Sequence, residues 1–102
     1  MRNSIWKIIR EKTLLFKICS YGSSYIVHIF IKYGADVNKR DKHGNTPLIM
    51  ACLNKNSSAL TVLLRNGADV QIKNNKGETP LRITQLNGDK DIINLLLSYN
   101  AK

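Results

Sequence analysis

Proline and cysteine occur only twice each in these 102 residues, at Pro47, Pro80, Cys19 and Cys52. So few prolines, with six glycines, exclude collagen-like and low-complexity chains. Two cysteines are too few for the disulfide framework of a small secreted protein. The longest apolar run, Leu48-Ile49-Met50-Ala51-Cys52-Leu53, falls far short of the ~18 residues a membrane span needs. Near the N-terminus, Lys7, Arg10, Glu11 and Lys12 interrupt any stretch that could act as a signal peptide. A soluble, intracellular chain is therefore expected. Acidic residues are scarce as well, 7 against 16 Lys and Arg, and the resulting +9 favours acidic proteins, nucleic acid or anionic lipid as partners.

Catalytic equipment is thin. Glu11 and Glu78 are the only glutamates, and His28 and His43 the only histidines, with no Cys/His cluster at metal-ligand spacing. The glycines are spaced singly rather than gathered into a phosphate-cradling loop. No nucleophile, base and orienting group fall together. The chain is expected to be non-enzymatic, with no metal, cofactor or small-molecule ligand.

Apolar residues make up 43% and charged residues 23%, the proportions of a globular chain able to bury one core. A repeat organises them. Asp41-Lys42-His43-Gly44-Asn45-Thr46-Pro47-Leu48 is echoed by Asn74-Asn75-Lys76-Gly77-Glu78-Thr79-Pro80-Leu81, at an offset of 33 residues. Gly34-Ala35-Asp36-Val37 and Gly67-Ala68-Asp69-Val70 keep the same phase, and Asn100-Ala101-Lys102 falls 33 further on. Counting back, Thr13 and Leu15 take the places of Thr46 and Leu48.

Each landmark has a physical task. Thr13, Thr46 and Thr79 can cap a helix through their hydroxyls, and Pro47 and Pro80 follow at a first-turn position where a missing N–H costs nothing. Short helices are predicted over 48–54 and 81–87. Ser23, Asn56 and Asp89 are caps for second helices carrying Val27/Phe30, Leu60/Leu63 and Ile92/Leu96. Gly34, Gly67 and Asn100 are residue types that tolerate the left-handed conformation ending a helix. Asp36 and Asp69 read as turn formers just beyond. Cys19 and Cys52 hold equivalent positions on first helices and read as small packing residues, too far apart for a disulfide. Most of the aromatic residues are assigned to core positions.

Helix, helix and turn-rich finger in a 33-residue period resemble the ankyrin repeat. The resemblance rests on Gly44/Thr46/Pro47/Leu48/Ala51 and Leu63/Leu64/Gly67/Ala68/Asp69, then Gly77/Thr79/Pro80/Leu81 and Leu96/Leu97/Ala101. It implies an all-α fold, an ankyrin-repeat solenoid of stacked helix-turn-helix units joined by β-turn fingers. The chain then divides into a leader, 1–7, a degenerate capping unit, 8–40, a repeat over 41–73 and a C-terminal repeat over 74–102. Phe16, Ile49 and Arg82 stand where the family usually has histidine, which removes that residue's hydrogen bonds.

The same resemblance implies a concave binding face and a non-catalytic role in protein–protein interaction. The first finger and helix would contribute Lys39, Arg40, Lys42, His43, Asn45 and Asn54. The next would contribute Lys73, Asn75, Lys76, Glu78 and Asn87, making an acidic partner the expected one. Leu53, Leu86 and Tyr99 would add apolar contact. The alternatives are a basic surface for nucleic acid or acidic lipid in the N-terminal third, where residues 1–40 carry +6, and a structural adaptor role within a longer array. An exposed apolar face on Ile93, Leu96 and Leu97 would point to further repeats or self-association.

Overall fold

The computed structural model describes residues 14–101. Those residues form six helices: α1 (Leu14–Tyr21), α2 (Ser24–Lys32), α3 (Pro47–Leu53), α4 (Ser57–Arg65), α5 (Pro80–Asn87) and α6 (Lys90–Ser98). No strand occurs among the described residues. The helices pair as three hairpins, α1–α2, α3–α4 and α5–α6. First helices stack on first helices, α1 on α3 and α3 on α5, while α2 packs on α4.

The periodic landmarks act as their chemistry dictates. Thr46 and Thr79 accept hydrogen bonds from the N–H groups of Ile49 (3.2 Å) and Arg82 (3.1 Å), with Pro47 and Pro80 directly behind them. Thr13 lies outside the described residues. The predicted first helices start one residue late, because each proline already has helical geometry. Ser23, Asn56 and Asp89 cap α2, α4 and α6 through the N–H groups of Ile26, Ala59 and Ile92. All three second helices end in the same Schellman turn. The N–H groups of Ala35, Ala68 and Ala101 reach back to the carbonyls of Phe30, Leu63 and Leu96, across Gly34 (φ 99°), Gly67 (φ 85°) and Asn100 (φ 65°). Asp36 and Asp69 then accept from the N–H groups of Asn38 and Gln71, two residues on, as turn formers do.

The middle hairpin is the most enclosed. Leu48, Ile49, Ala51 and Cys52 on α3, with Ala59, Leu60 and Leu63 on α4, are fully buried, because a neighbour covers each side. Of the three residues whose joint exposure would point to further repeats or self-association, Leu96 is fully buried, Ile93 half-buried and Leu97 exposed, so α6 does not present that continuous apolar face. The assignment of most aromatics to the core is corrected. Phe16 and Phe30 are buried, but Tyr21 is 80% and Tyr25 73% exposed, and Tyr33 and Tyr99 are exposed as well. A tyrosine at the edge of a short stack keeps its hydroxyl in water, so helical spacing alone does not place it inside.

Candidate functional site

The fingers between hairpins are tight turns closed by their own side chains. In the first, the Asp41 N–H donates to the Asn45 carbonyl (2.9 Å), and Asp41 Oδ1 accepts from the N–H groups of His43 (2.8 Å) and Asn45 (2.9 Å). In the second, Asn74 takes the aspartate's place: its Oδ1 accepts from the N–H groups of Lys76 and Glu78, both at 3.0 Å. The amide also donates through Nδ2 to Glu78 Oε1 (2.8 Å) and Asn45 Oδ1 (2.9 Å), ties a carboxylate could not make.

Neighbouring fingers are laced together. The Asn75 N–H donates to the His43 carbonyl (2.9 Å), Asn75 Nδ2 to the Lys42 carbonyl (3.1 Å) and Arg40 Nη2 to the Lys73 carbonyl (2.8 Å). Gly44 lies within this lacing at φ +76°. Asn87 Nδ2 bonds the Cys52 carbonyl (3.3 Å), and Asn54 Nδ2 bonds Met50 in its own helix (2.9 Å).

These bonds divide the eleven residues anticipated for the concave face. Arg40, Asn45, Asn54, Asn75, Glu78 and Asn87 are brought to that region but spend side-chain hydrogen bonds on the scaffold. Lys39 is half-buried and engaged. The exposed side chains of Lys42, His43, Lys73 and Lys76 bond to no other described residue. The nearby carboxylates of Asp41 and Glu78 each accept turn hydrogen bonds through one oxygen and keep their charge, so the fingers carry more cationic than anionic side chains rather than cations alone.

Two cavities of about 550 Å³ each open on this face. The first lies between α1, α3 and the first finger and includes Phe16, Lys17, Tyr21 and Met50. The second lies between α3 and both fingers and includes Leu53, Asn45, Lys76 and Glu78. Leu53 and Leu86 are exposed. Lys17, Tyr21 and Met50 were missed as pocket residues, although the repeat held the signal: Tyr21 stands 33 residues before Asn54 and 66 before Asn87. A shallower groove of about 760 Å³ lies between α2 and α4, with Tyr25, His28 and Arg65 along it.

Cys19 and Cys52 are buried and unpaired, and burial pushes both thiols up to about 12. At pH 8 neither is a thiolate, so iodoacetamide should label them only as fast as the protein unfolds; rapid labelling of the folded protein would contradict that burial. Unfolded thiols ionise near 9 and folded ones near 12, so their contribution to stability is complete below pH 9 and lost as pH rises toward 12. Among the described residues no three His, Cys, Asp or Glu side chains converge as metal ligands, and no helix is long and apolar enough to cross a membrane.

Stacked helical hairpins, each ended by the same turn and joined by cross-tied fingers, define a solenoid repeat protein. A family model for ankyrin repeats in three copies matches residues 2–74, and the chain belongs to the ankyrin-repeat family. Ankyrin repeats are generally protein-interaction modules and are typically non-catalytic. An ADP-ribosylation factor GTPase-activating protein of Arabidopsis thaliana, AGD4, is 44% identical to this chain over 36 residues. That match covers 35% of this chain and 5% of the length of the plant protein.

Proposed function

We propose that this chain is a non-catalytic binding module that receives an acidic protein surface on its concave face, between the fingers and α1, α3 and α5. The observation supporting this is the imbalance of free charge. The side chains of Lys42, Lys73 and Lys76 bond to no other described residue, and they outnumber the two carboxylates of the same fingers, Asp41 and Glu78, each of which holds its turn through one oxygen. Preformed turns also lose little conformational freedom when a partner binds, so contact energy is retained as affinity. Free cations steer the encounter, and exposed Leu53 and Leu86 supply apolar area.

The test is a nuclease-treated pull-down at two salt concentrations, comparing wild type with Lys42→Glu/His43→Glu/Lys73→Glu/Lys76→Glu. A discrete protein held by wild type and lost by the variant, with unchanged melting, is expected. Equal capture by both removes the concave-face reading. A second reading, nucleic acid held through the basic first third, gains support from the exposed rings of Tyr21 and Tyr25, which offer stacking surfaces. It predicts capture that nuclease abolishes.

A further inference from the structure

An asparagine followed by glycine is prone to self-modification, because its amide is thermolabile and glycine puts no side chain beside its own nitrogen. The chain holds two such pairs, Asn66-Gly67 and Asn87-Gly88, and all four residues are exposed. Their surroundings differ.

The Gly88 N–H is held twice, by the carbonyls of Thr84 (2.9 Å) and Gln85 (3.2 Å), and Asn87 Nδ2 is tied across to Cys52 in the neighbouring hairpin. Only Gly88 and Asp89 separate α5 from α6, so the backbone there cannot turn without swinging one packed helix against the other. The Gly67 N–H has one long bond, to the Leu64 carbonyl at 3.4 Å. Asn66 Nδ2 bonds the Val62 carbonyl of its own helix (2.8 Å). Asn66 is the cap of α4, at φ −108° and ψ 23°, and the whole second finger lies between it and Pro80, which gives the backbone slack. The firm ties of this turn, Ala68 N–H to the Leu63 carbonyl (3.0 Å) and Asp69 N–H to Asn38 Oδ1 (2.7 Å), hold the residues beyond the Gly67 nitrogen and leave that nitrogen loosely held.

We propose that Asn66 is a site of spontaneous deamidation, whose conversion loosens the end of α4 and the turn into the second finger. The Gly67 nitrogen, its proton taken by solvent hydroxide, attacks Asn66 Cγ as ψ turns. The new N–Cγ bond closes a succinimide ring, the Cγ–Nδ2 bond breaks, and the amide nitrogen takes a proton from water and leaves as ammonia. Water then adds to one ring carbonyl and breaks its bond to the Gly67 nitrogen, giving aspartate from the side-chain carbonyl or isoaspartate from the backbone one. Either product exchanges the Nδ2 donor for a carboxylate beside the Val62 carbonyl, at the helix end where an anion is unfavourable. Isoaspartate also lengthens the backbone just ahead of the Ala68 and Asp69 ties. The new charge borders the α2/α4 groove beside Arg65.

The test is to keep the purified chain near pH 8, sample it over weeks, and cut it after lysine under mildly acidic conditions. Tandem mass spectrometry then reads amide-to-acid conversion in the peptides 56–73 and 77–90. In the folded protein Asn66 should convert about fivefold faster than Asn87, the factor that one hydrogen bond makes. In guanidinium the two should convert alike, since the dipeptide is the same. Equal rates in the folded protein, or a faster Asn87, overturn the inference. Asn66→Asp should melt about 4–8 °C below wild type, the equivalent of one lost bond, and a variant that melts with wild type overturns the loosening.

Discussion

Gly44→Ala should lower the unfolding free energy by about 2–4 kcal/mol, whereas Gly77→Ala, at the same place in the next finger, should cost only about 1 kcal/mol. The backbone is alike at the two sites, with φ +76° and +78°, so both substitutions incur the left-handed strain of an L-residue. They differ in what a new methyl meets. At Gly44 it would lie 2.5 Å from Asn75 Oδ1 and 2.9 Å from both the Asn75 nitrogen and Arg40 Nη2; at Gly77 it would meet nothing within 4 Å. Relief requires the second finger to move off the first, which breaks the bonds of Asn75 to Lys42 and His43. In a domain of this size 1 kcal/mol is worth about 4–8 °C, so melting should drop by about 8–30 °C for Gly44→Ala and about 4–8 °C for Gly77→Ala. Equal drops would mean that the fingers do not depend on one another.

Leu64→Ala should cost about 2–5 kcal/mol and Leu97→Ala less than 1 kcal/mol. Leu64 is 4% exposed within the core, and Leu97, 33 residues on, is 49% exposed. Truncating the first leaves a cavity among packed side chains; truncating the second removes area that water already reaches. Urea titrations with a common slope would give both differences directly. A large loss at Leu97 would show that something covers α6 in solution, such as a second copy of the chain.

Much of this architecture is written locally. A threonine before a proline, a cap ahead of an apolar helix and a glycine or asparagine behind it act through neighbours four or five residues away, so a 33-residue phase was enough to place five caps and three helix stops. Other features depend on the assembled stack. Lys55 adopts φ 55° just after α3, where the next unit has Gly88 at φ 74°, and nothing in a lysine announces that conformation. Arg40 and Asn75 read as exposed fingertip groups until the fingers stand side by side and their donors find carbonyls 33 residues away. The candidate face was thus legible as a set of positions, while its division into scaffold bonds and free charges was not. Tyr21, Tyr25 and Tyr33 were misread because spacing reports which face a residue takes and not whether another hairpin covers it, whereas Tyr99 was rightly read as a surface group.

Ile49 and Cys52 on α3 are fully buried, whereas their counterparts on α5 are the exposed Arg82 and Gln85. Among the described residues the third hairpin is therefore contacted from one side, and in a linear array each unit is stabilised mainly by the neighbours it touches. Amide hydrogen exchange should grade along the chain instead of reporting one global value, slowest in α3 and α4 and faster in α5 and α6. A segment lying across both fingers would act as a splint, and protection it added to α5 and α6 would record its presence without the segment touching α6.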